Sequence, residues 1–499
     1  MLSTERNLQR RKVVMAMQKA MQEGRLTQGI RLAEQWRAAG GSDWLITLNL
    51  AVCLSRLNTT HRSDPIALAK EALSLSQGHP TALLGSAEVA NNSGHFEWAL
   101  ELLDSVRVDT VTDHSWQVHQ LKAAALARIG RADSAHETLE RWPEPKRDWR
   151  WLIAKGDALT QDNKWKEAEG YYRTILREQP GNPLANQNLA LVLLSQMKWE
   201  EGWKQYEWRL SNPRQNDRGE PSPLPPWTTI RDGTVVIVGE QGIGDQIMMA
   251  RYLPLLADQC GRLIFQPAAR LQELMRRSLP KQVEIRHPQD PIITNNGKVV
   301  VIGSGSLPLL CQEQQGFCTQ NRQMYLHADP TRVEYWKRKL LRLSSGRPCV
   351  GVGWLGGSNG ADHRERQLPK KELKQLTSEQ GILWVDLQYL PDDLKDLRRH
   401  RAGGCQSLMQ NPGENLEDTA ALIQALDAVI TTRQTVAHMA GALGVPGVVL
   451  VPERREWRYA QDGKTWAWYP WIHLSHQSRR GDWDHATTQA LKLLKKQEG

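Results

Sequence analysis

Phenylalanine is nearly missing from this 499-residue chain: three residues, against twenty tryptophans and nine tyrosines. Long apolar runs are missing too. None reaches the roughly 18 to 20 residues that a bilayer-spanning helix needs. The N-terminus, MLSTERNLQRRKVV, has no apolar stretch followed by a small-residue cleavage site, so it does not read as a secretory signal. Cysteine is sparse and unpaired. Cys53, Cys260, Cys311, Cys318, Cys349 and Cys405 show no CxxC spacing, which argues against a zinc site or a disulfide framework. Free thiols in a soluble, cytoplasmic protein without a metal are the expectation. Charge of one sign is not concentrated either. Lys and Arg number 64 against 55 Asp and Glu, and the excess of nine is spread along the chain. It suits phosphate-bearing small ligands better than a nucleic-acid footprint, which needs a basic stripe.

What remains is ordinary globular material, 40% hydrophobic and 24% charged, in a chain longer than one core supports. Four segments align: Gly94 to Ala99, Gly130 to Ala135, Asn163 to Ala168 and Met197 to Gly202. Each ends in a small residue, and three of the four carry an aromatic three positions earlier. The small residues at 99, 135, 168 and 202 are 36, 33 and 34 apart, the period of the tetratricopeptide helical hairpin. A small residue lets successive helices approach, and the aromatic fills the space between hairpins. Most tryptophans therefore read as packing anchors, with stacking on a sugar ring as the other use of an indole face. Pro80, Pro180 and Pro183 punctuate the turns. Weaker copies fall at Gly24 to Gly29 and around Ala67 to Ala72. Five or six hairpins are expected within residues 1–212, a superhelix whose concave face would bind a protein or, alternatively, buttress the rest.

Residues 213–232 lie in a polar, proline-rich stretch that marks a linker. Beyond it the period changes. Thr234–Val238, Arg262–Phe265, Lys298–Ile302, Cys349–Trp354, Ile382–Leu387, Ala428–Thr431 and Gly447–Val451 read as short buried strands with helical segments between several of them. They divide around Tyr335–Pro348, so two Rossmann-like lobes with a cleft are expected, over residues 233–345 and 346–499.

Three segments could carry chemistry. In VVIVGEQGIGD a strand runs into a glycine-rich turn and a helix, and Gly242 and Gly244 let the backbone approach a ligand closely. The spacing is GxxGxG, which is not the dinucleotide fingerprint. Asp245 at its end is either a general base facing the cleft or a helix N-cap. In DAVITTRQTVAHMAGALGVP a strand ends at Thr431 and a small-residue helix opens near Arg433. Thr431, Thr432 and Thr435 offer hydroxyls, Arg433 a cation, and the helix tip its amides, a set suited to a diphosphate. His438 faces either the site or the core. The third segment is the glycine- and arginine-rich loop Trp354 to Pro369, a phosphate clasp or a solvated charge run.

As a set these segments, with the junction YEWRL (Tyr206 to Leu210), YLHADPTRVEYW (Tyr325 to Trp336), WVDLQ (Trp384 to Gln388), LEDTAALIQALDAVITT (Leu416 to Thr432) and EWRY…WAWYPW (Glu456 to Trp471), resemble bacterial tetratricopeptide-repeat glycosyltransferases, whose α/β unit is related to the heptosyltransferases of family 9. The resemblance runs through nearly the whole chain in order. It implies a GT-B fold and a metal-independent, inverting transfer from a nucleotide-sugar, with no cofactor. It also implies an acceptor on the first lobe, a protein or surface-glycan intermediate recruited by the repeats. By position it makes Asp245 the base that deprotonates the acceptor, shaped by Gly242 and Gly244. Arg366, Gln388, Thr431, Arg433, Gln434, Thr435 and His438 become donor-side residues. Two departures stand out. Arg433-Gln434 occupies a place where related sequences often carry Asp-Thr, and Gly303 to Pro308 lacks the usual His or Asp. The first keeps a second class open, a non-catalytic repeat scaffold with a degenerate transferase domain.

Overall fold

The computed structural model describes residues 2–57, 63–106, 115–142, 147–211, 233–291, 299–315, 323–356, 365–390, 404–460 and 465–497. The expected linker and residues 357–364, half of the loop Trp354 to Pro369, lie outside them. Among the described residues no helix is long and apolar enough to cross a membrane. The chain forms two compact units, one built on Met1–Gln196 and the other on the α/β region together with Met197–Lys204.

The first unit is a run of paired antiparallel helices. The second helix of each pair starts at Leu26, Pro65, Phe96, Ala132 and Trp165, and a further helix of the same kind, Trp199–Tyr206, falls mostly in the other unit. The small residues of the repeat sit one turn inside these helices: Ala69, Ala99, Ala135 and Ala168 are each fully buried. Helix starts are written locally. Asp64 accepts hydrogen bonds from the Ile66 and Ala67 amides, and Asn182 from the Ala185 amide. Pro65, Pro80 and Pro183 occupy first-turn positions where no amide hydrogen is needed. Trp142, buried in this unit, stacks on Trp116 at 6.0 Å, an anchor between neighbouring hairpins.

One polar contact lies within this packing. On helix Trp149–Gln161 the Asp157 carboxylate accepts from the Tyr172 hydroxyl at 2.7 Å and the Asn188 amide at 2.8 Å. Gly156 permits it, since a Cβ there would stand 2.6 Å from the Tyr172 ring. Burial outweighs both hydrogen bonds and lifts the carboxyl to about 6 from 3.8. A folded-state value raised above the unfolded one stabilises the chain fully below pH 3.8 and is lost as pH rises through about 6. The difference corresponds to about 3 kcal/mol. Asp157→Asn is therefore expected to raise the melting temperature at about pH 7.5 and to lose that advantage at about pH 5. Parallel melts of both proteins at the two pH values check it.

The second unit holds two sheets. In the first, β1 (Thr234–Val238), β2 (Arg262–Gln266), β3 (Val283–Ile285) and β4 (Val299–Gly303) lie in the order β3-β2-β1-β4, all parallel. In the second, β5 (Cys349–Gly353), β6 (Leu383–Asp386), β7 (Cys405–Gln406), β8 (Ala428–Thr432), β9 (Gly447–Val451), β10 (Thr465–Trp466) and β11 (Tyr469–His476) lie in the order β10-β11-β9-β8-β5-β6-β7. Only the β10–β11 pair is antiparallel. The central strands read as continuous apolar runs because helices cover both faces; β5, β8 and β9 are buried at every position. The chain reverses direction of growth between β1 and β4, and again between β5 and β8. Ligands of open parallel sheets settle beyond the carboxyl ends of strands at such switch points. The architecture is a tetratricopeptide-type helical unit followed by two Rossmann-like lobes in the GT-B manner.

Candidate functional site

The turn after β1 supplies Asp245. Gly239 lets this turn close, because a Cβ there would stand 2.6 Å from the Gln246 amide oxygen, and Gln241 adopts a left-handed φ of 59°. The Glu240 carboxylate accepts from the Gly305 amide at 3.0 Å, and the Glu240 amide donates to Ser304 at 3.2 Å. The plain Gly303 to Pro308 segment thus braces the glycine turn from β4. Asp245 lies in the first turn of helix Ile243–Ala250, and one carboxylate oxygen accepts from the Gly242 amide at 3.3 Å. The other accepts from Arg458 Nε at 2.6 Å. The helix N-cap is Gly242, not Asp245: Asp245 stands three residues on, reaches back to the Gly242 amide and presents its other carboxylate oxygen to Arg458 of the second lobe.

Arg458 follows β9 and belongs to a cluster that no single strand signal marks. The Glu456 carboxylate is paired with Arg366, stands 3.5 Å from Arg433 and 3.8 Å from Arg458, and is 17% exposed. Arg458 also donates to the Gln241 side chain at 2.9 Å. Arg366, Arg433, Arg458 and the nearby Arg454 hold the Glu456 carboxyl well below the usual range, although burial opposes them. Two carboxylates, Glu456 and Asp245, meet this group of arginines, whose guanidinium groups are of the kind that match a polyphosphate. Arg433 is 1% exposed and lies 5.9 Å over the Tyr459 ring; it is a buried cation, not a solvent-facing one.

The remaining donor-side residues are more constrained. Thr431 accepts from the Gln434 amide at 2.9 Å, and Gly353 makes room for that pair, since its Cβ would stand 2.3 Å from Gln434 Nε2. Thr435 is half-buried and opens helix Thr435–Leu443, which ends at Gly444 with a φ of 79°. His438, a turn inside, is 4% exposed. Its Nε2 lies 3.1 Å from the Tyr459 hydroxyl and its Nδ1 3.4 Å from the Tyr469 hydroxyl. Burial drives the imidazole down to about 4, so it is neutral at physiological pH. It also touches the first lobe: a Cβ on Gly244 would stand 2.8 Å from its ring. Gly244 therefore sets how closely the Asp245 helix meets the His438 helix. Gln388 commits both ends of its amide to backbone, accepting from the Trp354 and Leu355 amides and donating to the Leu355 and Tyr389 carbonyls. These four bonds brace the loop after β5. Gly242 carries the amide that donates to Asp245.

Asp245, Arg366, Arg433 and His438 thus come together, while Gln388 stands behind them as support. Arg454, Glu456 and Arg458 were not singled out from the sequence. Their signal was the run RREWRY after the expected strand Gly447–Val451, charge-dense at a strand's carboxyl end. Among the described residues no group of three His, Cys, Asp or Glu side chains gathers as a metal site.

No family model matches the chain. It is 28% identical over 342 residues to Protein FlbA of Caulobacter vibrioides, a match covering 63% of this chain. The chain spans 56% of that relative's length. Among solved structures it is similar to the glycosyl transferase family 9 protein of Veillonella parvula, at 12% identity and a TM-score of 0.39, over 52% of this chain and 97% of that one. It is also similar to a tetratricopeptide repeat protein of Parabacteroides merdae, at 13% identity and a TM-score of 0.29, over 40% of this chain and 77% of that one. Helical-hairpin repeats and an α/β region with two mostly parallel sheets are joined in one chain.

Proposed function

We propose that this chain is a glycosyltransferase that moves a sugar from a nucleotide-sugar to a hydroxyl acceptor, with inversion and without a metal. The observation that carries the reading is the 2.6 Å contact between Asp245, beyond β1 of the first sheet, and Arg458, beyond β9 of the second. A carboxylate and a cationic cluster meet where both sheets direct their strand ends. In this reading the donor diphosphate displaces part of the internal pairing and takes Arg458 and Arg366, with the amides at Thr435 and the hydroxyl of Thr431 nearby. Asp245, released from Arg458, accepts the acceptor's proton as the acceptor oxygen bonds to the anomeric carbon and the bond to the diphosphate breaks. His438 stays neutral and sets the spacing of the two helices. The repeats would hold the acceptor, a protein or a surface-glycan intermediate.

A thermal-shift screen of UDP-, GDP-, ADP- and CMP-sugars tests this. A ligand bound only by the folded chain raises its melting temperature, by about 2.7 kcal/mol of stabilisation at a hundredfold excess over its dissociation constant. One nucleotide class is expected to raise the transition, and no shift with any would sink the proposal. The burial of Arg433 favours a second reading, a repeat scaffold with a degenerate transferase domain. In that case a nucleotide-sugar would bind without being hydrolysed when acceptor is left out.

A further inference from the structure

Glu456 gathers several cations around one carboxylate. One of its oxygens is paired with Arg366 and lies 3.5 Å from Arg433, and the other lies 3.8 Å from Arg458. Guanidinium forks arranged in this way suit the oxygens of a diphosphate at least as well as those of a carboxylate. The three arginines differ in freedom. Arg433 is 1% exposed and lies against the Tyr459 ring, so an anion has to come to it. The side chains of Arg366 and Arg458 are 19% and 17% exposed and reach solvent. Arg458 also holds Asp245 and the Gln241 side chain, so it can let go of Glu456 without being stranded. Directly after Arg433, helix Thr435–Leu443 opens at Gln434 with no side chain capping its first amides.

A carboxylate in this position has a second consequence besides balancing charge. Each bond that a phosphate forms with Arg366 or Arg433 requires one to Glu456 to break. Only the difference between the two anions then appears as affinity. Once displaced, the Glu456 carboxylate stays on the same short loop beyond β9, close to a like charge that repels it. It is therefore placed to recover its arginines when the phosphate goes. The exposure of the Glu456 side chain, 17%, leaves it room to swing outward.

We infer that Glu456 is a resident substitute for phosphate: it holds Arg366 and Arg433 between turnovers, yields them to the donor diphosphate, and takes them back as the nucleoside diphosphate leaves. This rests on the transferase reading and adds the residue that limits how tightly the nucleotide is held. The test uses the full chain and inorganic pyrophosphate, which carries the diphosphate without base or sugar, followed by calorimetric titration and thermal melts at one salt concentration. The parent is expected to bind pyrophosphate. Glu456→Gln should bind it about tenfold more tightly, since a charge-assisted hydrogen bond to Arg366 no longer has to break. Glu456→Asp keeps the charge but draws it back by one methylene, and should shift affinity the same way by less. Glu453→Gln removes an equal charge three positions away, where it pairs with Arg480, and should leave affinity near the parent's. Because pyrophosphate replaces the counter-charge that Arg433 has lost, it should raise the melting temperature of Glu456→Gln by more than that of the parent. Unchanged or weaker binding by Glu456→Gln, with the parent binding, would overturn the inference and leave the donor site standing. An equal gain in Glu453→Gln would also overturn it, by reducing the effect to net charge. Binding by none of these proteins would remove the donor reading as well.

Discussion

Asp245→Asn is expected to lower turnover by about 10²- to 10⁴-fold, the range in which a positioned general base contributes. Asparagine keeps the shape and can still accept the Gly242 amide, so helix Ile243–Ala250 keeps its start. What it loses is the negative charge that can take a proton and that now holds Arg458. Without that partner Arg458 has more of its charge to offer a diphosphate, so nucleotide affinity should hold or rise while turnover collapses. The measurement is a paired one: nucleotide-sugar affinity by calorimetry and sugar transfer by product analysis. Loss of affinity with unchanged turnover would assign Asp245 to donor binding and remove it as the base. The pairing separates a chemical role from a folding role, which a rate alone does not.

The second large effect falls on stability. Glu456→Ala is expected to destabilise the α/β unit by about 3 kcal/mol, because it takes a carboxylate away from the buried Arg433 and from Arg366, while Arg458 keeps Asp245. Arg433 is the residue left worst off, 1% exposed and with its carboxylate gone. For a unit of this size that corresponds to a fall in melting temperature of about 10 °C. The pH dependence has a definite sign. The Glu456 carboxyl is held well below 4.5 in the folded chain, so its contribution is present above about pH 4.5 and disappears as pH falls toward the folded-state value. The parent should therefore lose stability on acidification below that point, and the alanine variant should lose less. Calorimetric melts across the acid range check both the size and the direction. A variant as stable as the parent would mean that the arginines are satisfied from elsewhere.

Much of the architecture was legible in the residues. All seven stretches read as strands are strands, with ends within a residue or two of the expected ones. They were visible because strands buried on both faces are unbroken apolar runs. Four others escaped. Val283–Ile285 and Cys405–Gln406 are three and two residues long, too short to show a period. Thr465–Trp466 and Tyr469–His476 are rich in aromatics and histidine and lie at the sheet edge. The helix opening at Thr435 begins two residues after the sequence suggested, because Arg433 turns inward to Glu456 before the helix starts. The tryptophans read as anchors do anchor: Trp203 and Trp468, both buried, meet edge-on near 6.5 Å, with Trp457 against each.

By itself the sequence determined the hairpin period, the change to parallel strands and the residues at the strand ends, because each of these is written in neighbours a few positions apart. Which of those residues meet was decided only by the tertiary structure. Asp245 and Arg458 are 213 positions apart and touch because β1 and β9 direct their carboxyl ends to one place. The same folding turned Gln388 into a brace and His438 into a neutral spacer, since the polar atoms of Gln388 are bonded to backbone at Leu355 and its neighbours and the ring nitrogens of His438 face the Tyr459 and Tyr469 hydroxyls. Local preference chooses an element; the burial of side chains between elements chooses the partner.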